Sequence, residues 1–531
     1  MKRKKLLLFL AVVVIALAAT ATLAVRKARI LFAPDVYGLE PSKFEDHQRA
    51  KAAVSTLIDA PPATASKPNI IVILADELGY GDLSVQGSPA IKTPCMDALA
   101  AEGVRLTSFY ASAPVCTPSR AGLLTGRYPL RSGLISPFPP SNNNLLRKAM
   151  RQAGALMSQM GMVDMPGGPN MVLGLPQSEI TIPEALKLAG YSTAAVGKWH
   201  LGDFTVLPEY HPSNHGFDHF VGFNVSNDDW PVAFWRDRQE VVRDIGLDQD
   251  KYTRLFTEEA VSFIEQSKDK PFFLYLAQKD PHQPFFPSKD FAGKSDGGPF
   301  GDAVTEFDWG VGEVVACVKR LGLQDNTLVV VTSDNGPWFE GSPGGLRGRK
   351  GQTYEGGFRV PFIAWWPGHV PAGRVVDEPA MNIDLFPTFT KLAGLSLPKD
   401  RVIDGVDIAP LLTGRGTVPE RALFFAHDYD IEAMRVGPWK YFHANSHYVW
   451  PVPLDKQDNI AGQVANGNTY HPAGSSESVP TLGTWPLLYN ATRDPGEAYN
   501  VAKQHPDVVR AMEQRLGEWS KEYYANPRGW K

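Results

Sequence analysis

Cys116 is the residue whose setting in this chain most suggests covalent chemistry. It lies in Pro114-Val115-Cys116-Thr117-Pro118-Ser119-Arg120-Ala121-Gly122-Leu123-Leu124-Thr125-Gly126. Pro114 and Pro118 restrict the approach, Pro118 and Ser119 suit a first helical turn, and Leu123-Leu124 supply an apolar face to anchor it. The cysteine therefore falls at a predicted helix N-terminus. There, unpaired backbone N–H groups and the helix dipole favour negative charge, and Arg120 follows about one turn on. A small buried hydrophobe ahead of an ordinary helix fits the same pattern. Only three residues separate Cys116 from Arg120, too few for the phosphate loop of a cysteine phosphatase.

Four further groups of chemistry-bearing residues stand at the ends of apolar runs. Asp76-Glu77 follows Asn69-Ile70-Ile71-Val72-Ile73-Leu74, and Asp334-Asn335 follows Thr327-Leu328-Val329-Val330-Val331-Thr332. Gly197-Lys198-Trp199-His200 follows the strand predicted from Tyr191 to Val196, where Lys198 and His200, two apart on an extended segment, would point the same way. His282 sits among Lys279-Asp280-Pro281-His282-Gln283-Pro284 after Pro271-Phe272-Phe273-Leu274-Tyr275-Leu276-Ala277. A basic loop, Arg347-Gly348-Arg349-Lys350-Gly351, comes after the second acidic pair. Continuous β-branched and aromatic runs are strands buried on both faces of a parallel sheet, and α/β folds keep their ligands at the carboxyl ends of such strands. Taken singly, each group has an ordinary alternative: a capped turn, solvated cations, a rigid surface loop.

Taken together they resemble the sulfatase family. Cys116-x-Pro118-x-Arg120 with the tail Leu123-Leu124-Thr125-Gly126 matches the family signature without a gap, and the second signature runs from Gly190-Tyr191 to His200. A Pro-His-x-Pro element at 281–284, the Gly-x-Lys element ending at Lys350, and a late turn motif, Leu488 to Glu497, extend the likeness over about residues 67–525. The resemblance implies that Cys116 is oxidised to Cα-formylglycine by a maturation enzyme, its hydrate being the nucleophile. It also implies metal ligation by Asp76, Glu77, Asp334 and Asn335 together with residue 116. These are hard oxygen donors, which suits Ca²⁺, with Mg²⁺ possible in a tighter site. The family usually has Asp where this chain has Glu77. By the same resemblance Arg120 steadies the nucleophile, Lys198 and Lys350 bind the sulfate oxygens, His200 serves the formylglycine hydroxyl and His282 protonates the leaving alcohol. Ser226 and His447, with His443 beside it, are expected in the substrate pocket.

The elements that must position these groups form an α/β architecture. The resemblance implies an alkaline-phosphatase-like large domain, a mostly parallel central sheet flanked by helices. Helices are predicted over Ile182–Gly190, about Ala303–Leu321 and Asn382–Gly394. Beyond Arg421 the texture changes to short aromatic alternating segments, Leu423-Phe424-Phe425, Met434-Arg435-Val436 and Trp439-Lys440-Tyr441-Phe442. A smaller C-terminal domain with an antiparallel sheet and a final helix, about Pro506–Tyr523, is predicted there. The expected boundaries are a signal peptide or membrane anchor at 1–25, a stalk at 26–66, the catalytic domain at 67–415 and the C-terminal domain at 416–531. Residues 141–175, Met-rich and then Gly/Pro-rich, form an insertion that carries no readable chemistry.

Composition narrows the partners. The 531 residues are 43% hydrophobic, with a net charge of −4, which gives no global attraction to nucleic acid. Three cysteines cannot build a disulfide framework. Met1-Lys2-Arg3-Lys4-Lys5 precedes an uncharged apolar run from Leu6 to Val25, so the chain is expected to engage export machinery. It would then be periplasmic, or held at the membrane by residues 6–25, facing away from the cytoplasm. The expected reaction is hydrolysis of an aryl or carbohydrate sulfate. A formylglycine-dependent phosphonate or phosphate ester hydrolase is the nearest alternative, and a silent binder of sulfated glycan the next.

Overall fold

The computed structural model describes residues 53–59, 67–137, 174–205, 207–229, 231–427, 430–443 and 486–531. The apolar run 6–25, most of the 26–66 stretch, nearly all of 141–175 and His447 lie outside the described residues. In chain order the strands are β1 (Asn69–Ala75), β2 (Val104–Leu106), β3 (Phe109–Tyr110), β4 (Ser192–Lys198), β5 (His219–Phe223), β6 (Phe234–Arg236), β7 (Gln239–Val242), β8 (Phe272–Ala277), β9 (Thr327–Ser333), β10 (Phe362–Trp365), β11 (Arg374–Val376), β12 (Ala380–Met381), β13 (Ala422–His427), β14 (Asp430–Val436), β15 (Trp439–Phe442) and β16 (Leu487–Asn490). The principal helices are α1 (Pro94–Glu102), α2 (Cys116–Thr125), α3 (Ile182–Lys187), α4 (Tyr252–Ser267), α5 (Gly298–Arg320), α6 (Leu385–Leu392) and α7 (Pro506–Ala525).

Ten strands form one sheet in the order β11-β2-β10-β9-β1-β8-β4-β5-β6-β7. The run β9-β1-β8-β4-β5 at its centre is parallel throughout, while β10, β6 and β7 run antiparallel to their inner neighbours. Every residue of β1, β8 and β9 is buried. The period-two geometry of a strand sends Ile70, Val72 and Leu74 to one face, where they join α2, α3 and α6. Ile71 and Ile73 go to the other face, against α1, α4 and α5. Each such side chain contributes roughly 1.5–3 kcal/mol by leaving water. The apolar runs are continuous because both faces are covered.

The second sheet is an antiparallel meander, β13-β14-β15-β16. Met512, Leu516 and Tyr523 of α7 pack in one apolar cluster with Phe424, Met434 and Tyr441 of this sheet, and that cluster continues into Tyr110, Tyr354 and Phe358. Its aromatic texture thus serves two contacts, with its own helix and with the large sheet domain. Several elements differ in extent from the sequence pattern, among them α3, which ends at Lys187 rather than at Gly190. Helix α5 starts at Gly298, because Pro299 suits a first turn. The stretch 382–394 divides into a 3₁₀ turn, Asn382–Asp384, and α6. Strand β4 continues to Lys198, two residues beyond the predicted end. Among the described residues no helix is long and apolar enough to cross a membrane.

Candidate active site

The parallel strands deliver their loops to one end of the sheet. Asp76 N–H donates to Asp280 O at 3.0 Å and Asp334 N–H to Ala75 O at 3.2 Å, so the ends of β8, β1 and β9 are tied together. Helix α2 brings Cys116 to this edge. The residue is its first, after Val115 in extended conformation, and all ten residues of the helix are buried. At the far end Gly126, with φ +70°, closes the helix in the left-handed conformation that glycine tolerates. From outside, Asn382 Nδ2 donates to Ser119 Oγ at 2.9 Å. Sheet geometry adds a constraint: a Cβ on Gly197 would meet Ala277 O at 1.9 Å, so β4 lies against β8 just before Lys198.

The groups singled out in the sequence largely converge. Cys116 Sγ lies 3.5 Å from Asp76 Oδ1 and 3.8 Å from Glu77 Oε1. Ligand atoms of Asp76, Glu77, Cys116 and His282 all lie within 4.8 Å of one another. Arg120 donates through Nε to Asp334 Oδ2 at 2.9 Å and through Nη1 to Lys198 O at 3.0 Å, and its Nη2 is 3.4 Å from Asp76 Oδ1. Lys198 Nζ is 2.5 Å from Asp76 Oδ2. Lys350 Nζ contacts Glu77 Oε1 and lies 3.4 Å from His282 Nε2, which is itself 2.9 Å from Glu77 Oε1. Asp76, Glu77, Asp334 and Asn335 are at most 2% exposed. Asn335 Nδ2 donates to Gly336 O at 2.9 Å, while its Oδ1 is buried without a hydrogen-bond partner among the described residues.

That unpartnered acceptor fits a divalent cation. A buried carbonyl oxygen without a donor is costly, and here it accompanies three buried carboxylates. The donor set is oxygen-rich, as hard cations require. Asp334 is also held by Arg120 and by Glu77 N–H, which donates to its Oδ1 at 3.1 Å.

Crowded charge sets the protonation states. Burial would raise Asp76, but Lys198, His282 and Arg120 outweigh it and hold the carboxyl well below its usual range. Asp334 is pushed up to about 6 by burial and by the neighbouring Asp76. Burial drives the Cys116 thiol well above its ordinary value, so an unmodified Cys116 is protonated. His200 is pushed down to about 4 by burial and by Lys198, which keeps it neutral and able to accept a proton. Burial alone would lower His282, yet Glu77 and Asp228 leave it raised.

Lys198 and His200 stay near enough for the ammonium to act on the ring, although the backbone between them is not extended throughout. His200 has φ +52°, so the chain turns after β4 and the ring reaches Asp229 Oδ2 at 3.4 Å. Glu77 is likewise left-handed, φ +70°. Such conformations are unfavourable for residues with a Cβ and concentrate at functional sites. Ser226 is buried on the loop that carries Asp228 and Asp229, its N–H donating to Asp229 Oδ2 at 3.3 Å. His443 stays in the C-terminal sheet, where its ring hydrogen-bonds Ile431 O at 2.5 Å. Asp228 and Asp229 are site residues that sequence reasoning missed. The first stands 4.0 Å from His282 Nδ1 and the second faces His200, one acid for each histidine. Two consecutive acids after Ser226 were the available signal.

Buried cations around carboxylates, a helix-borne Cys116 and two histidines of opposite protonation suit cleavage of an anionic ester. The sulfatase sequence model matches residues 68–395, that for the C-terminal region of aryl-sulfatase matches 418–528, and that for the N-sulphoglucosamine sulphohydrolase C-terminus matches 349–448. The chain belongs to the sulfatase family, and it is a sulfuric ester hydrolase. It is 38% identical to N-acetylgalactosamine-6-sulfatase of Mus musculus over 469 residues, covering 84% of each chain. Against arylsulfatase A of Homo sapiens it is 38% identical over 491 residues, covering 85% of this chain and 87% of that one. A sulfatase structure from Pseudoalteromonas sp. superposes with a TM-score of 0.72 at 27% identity, covering 92% of this chain and 96% of the other.

Proposed function

We propose that the chain hydrolyses a carbohydrate or aryl sulfate by way of formylglycine at position 116. The observation that carries this reading is the convergence of Cys116, Lys198, Lys350 and His282 on Asp76 and Glu77. The names of the relatives, a hexosamine-6-sulfatase and an arylsulfatase, support both substrate classes. Asp76, Glu77, Asp334 and Asn335 would hold a divalent ion, Ca²⁺ by its tolerance of uneven oxygen ligands. When bound, it neutralises charge on the sulfuryl oxygens. Formylglycine at this position would supply, as its hydrate, the oxygen nucleophile for sulfur and a second hydroxyl whose deprotonation lets sulfate go.

The chain's own residues do the rest. Lys198 and Lys350 bind the sulfuryl oxygens, and Arg120 holds Asp334 and the Lys198 carbonyl in place. His282, kept protonated beside Glu77 and Asp228, gives its proton to the departing alcohol oxygen as the S–O bond breaks. His200, neutral and oriented by Asp229, takes the proton of the second hydroxyl. The proposed division is a targeting segment at 1–25, a stalk at 26–66, catalysis at 67–415 and a C-terminal domain at 416–531, in an exported, periplasmic or membrane-anchored protein. Ser226 is assigned to substrate contact.

Peptide mass spectrometry of active protein tests the reading. An aldehyde at residue 116 is expected, and an unmodified thiol in fully active enzyme overturns it. Comparison of kcat/KM on an aryl sulfate with the matching aryl phosphonate should favour the sulfate, the reverse preference promoting the phosphonate hydrolase.

A further inference from the structure

Lys350 is carried by a loop whose front and back are held by different parts of the protein. In front, Lys350 N–H donates to Pro337 O at 3.0 Å and Gly351 N–H to Pro114 O at 2.8 Å. These bonds register Lys350 against the loop after β9 and against the approach to Cys116. Behind, the partners belong to the C-terminal sheet and the segment after it. Lys440 of β15 donates through Nζ to Thr353 O at 2.9 Å and is 3.1 Å from both Glu355 Oε1 and Glu497 Oε1. Glu355 N–H donates to Glu497 Oε2 at 2.8 Å. Arg347 donates to Tyr489 Oη and to Glu497 O, both at 3.1 Å, with its guanidinium 4.0 Å from the Tyr354 ring. Thr353 Oγ1 donates to Glu432 Oε2 at 2.5 Å.

These contacts grip residues 347, 353 and 355 on both sides of Lys350. The loop has little room to yield: a Cβ on Gly356 would meet Gly348 O at 2.2 Å and one on Gly357 would meet Gln352 O at 2.0 Å. Lys440, Glu355 and Glu497 are at most 1% exposed, so their attraction is not screened by solvent. A displacement at the back is therefore transmitted to the Lys350 ammonium rather than absorbed.

We propose that Lys440, with Glu497, is a positioning residue for catalysis: the C-terminal domain sets the place of Lys350 through the Lys440–Glu355–Glu497 cluster. This rests on the reading of Lys350 as a group that binds the sulfuryl oxygens. A misplaced binding group costs up to about 100-fold without any loss of the group itself.

A mutant cycle on the full-length, modified enzyme tests the proposal. Lys350→Ala should lower kcat/KM about 10²–10³-fold, and Lys440→Met about 10–100-fold, with inhibition by inorganic sulfate weakened in both. In the Lys350→Ala background, Lys440→Met should then remove little more. Should Lys440→Met fail to fold, Tyr489→Phe, which deletes only an acceptor of Arg347, takes its place with a smaller loss and the same non-additivity. Full additivity, or a fall in Tm with kcat/KM and sulfate inhibition unchanged, overturns the positioning role. An unimpaired Lys350→Ala instead removes the reading of Lys350 on which the proposal rests.

Discussion

Lys198 and Lys440 are both lysines of zero side-chain exposure held against carboxylates, yet their surroundings differ in kind. Lys440 donates to Thr353 O and Glu355 Oε1 and lies 3.1 Å from Glu497 Oε1. Tyr110 Oη donates to Glu355 Oε2 at 2.7 Å, and Arg435 and Arg359 add charge behind it. At the sheet end, Lys198 is hydrogen-bonded to Asp76 and Asn335 Oδ1 has no hydrogen-bond partner among the described residues, while left-handed backbone occurs in both regions, at Glu77 and His200 and at Glu497. A buried ammonium held by several oxygens is locked in place, whereas one hydrogen-bonded to a single carboxylate beside an unfilled acceptor is ready for a ligand. The same residue types thus serve as strut in one region and as reagent in the other.

Variants should separate the two regions. The largest effect is expected from Cys116→Ala, which should reduce turnover at least about 10³-fold while Tm stays close to that of the parent. A comparable loss of Tm would make Cys116 part of the strut. Next comes Glu77→Gln. It should weaken metal affinity about 10–100-fold, and added Ca²⁺ should restore part of the rate. An unaltered metal titration would leave Glu77 as a turn residue. Smaller again is Tyr110→Phe, which removes a buried hydroxyl that donates to Glu355 and should cost about 1–2 kcal/mol in urea unfolding.

The gentlest test is a slope in pH. Burial, with Glu355 adding to it against Lys440 and Arg347, pushes Glu497 up to about 7. A carboxyl raised above its unfolded value is fully stabilising only below that value, near 4.5, and its contribution is lost as pH rises through about 7. Stability should therefore fall between about pH 5 and 8, and less steeply in Glu497→Gln. Equal slopes would place the titration elsewhere.

Much of the reagent region was legible in the sequence because its parts are local. Apolar runs announce β1, β8 and β9, and each is followed at once by its polar cargo, Asp76-Glu77, His282 or Asp334-Asn335. The strut was not legible. Lys440, Glu355 and Glu497 are far apart in sequence, and each alone resembles an ordinary surface charge. His200 was legible as a residue but its backbone was not: the strand ends at Lys198 and φ turns positive at His200. Asp228 and Asp229 were hidden because their value depends on where two histidines from other loops come to rest.

The burial of Cys116 imposes an order of events on the life of the chain. Its side chain is 2% exposed, it opens a helix buried along its whole length, and Gly351 N–H closes on Pro114 O two residues upstream. No second protein can bring its own catalytic groups to that sulfur once these elements have closed. On the proposed reading, oxidation at residue 116 would belong to the nascent or still-unfolded polypeptide, and the folded thiol form would be a dead end. Maturation enzyme added to native, unmodified protein should convert nothing, whereas the same enzyme supplied during refolding should yield activity.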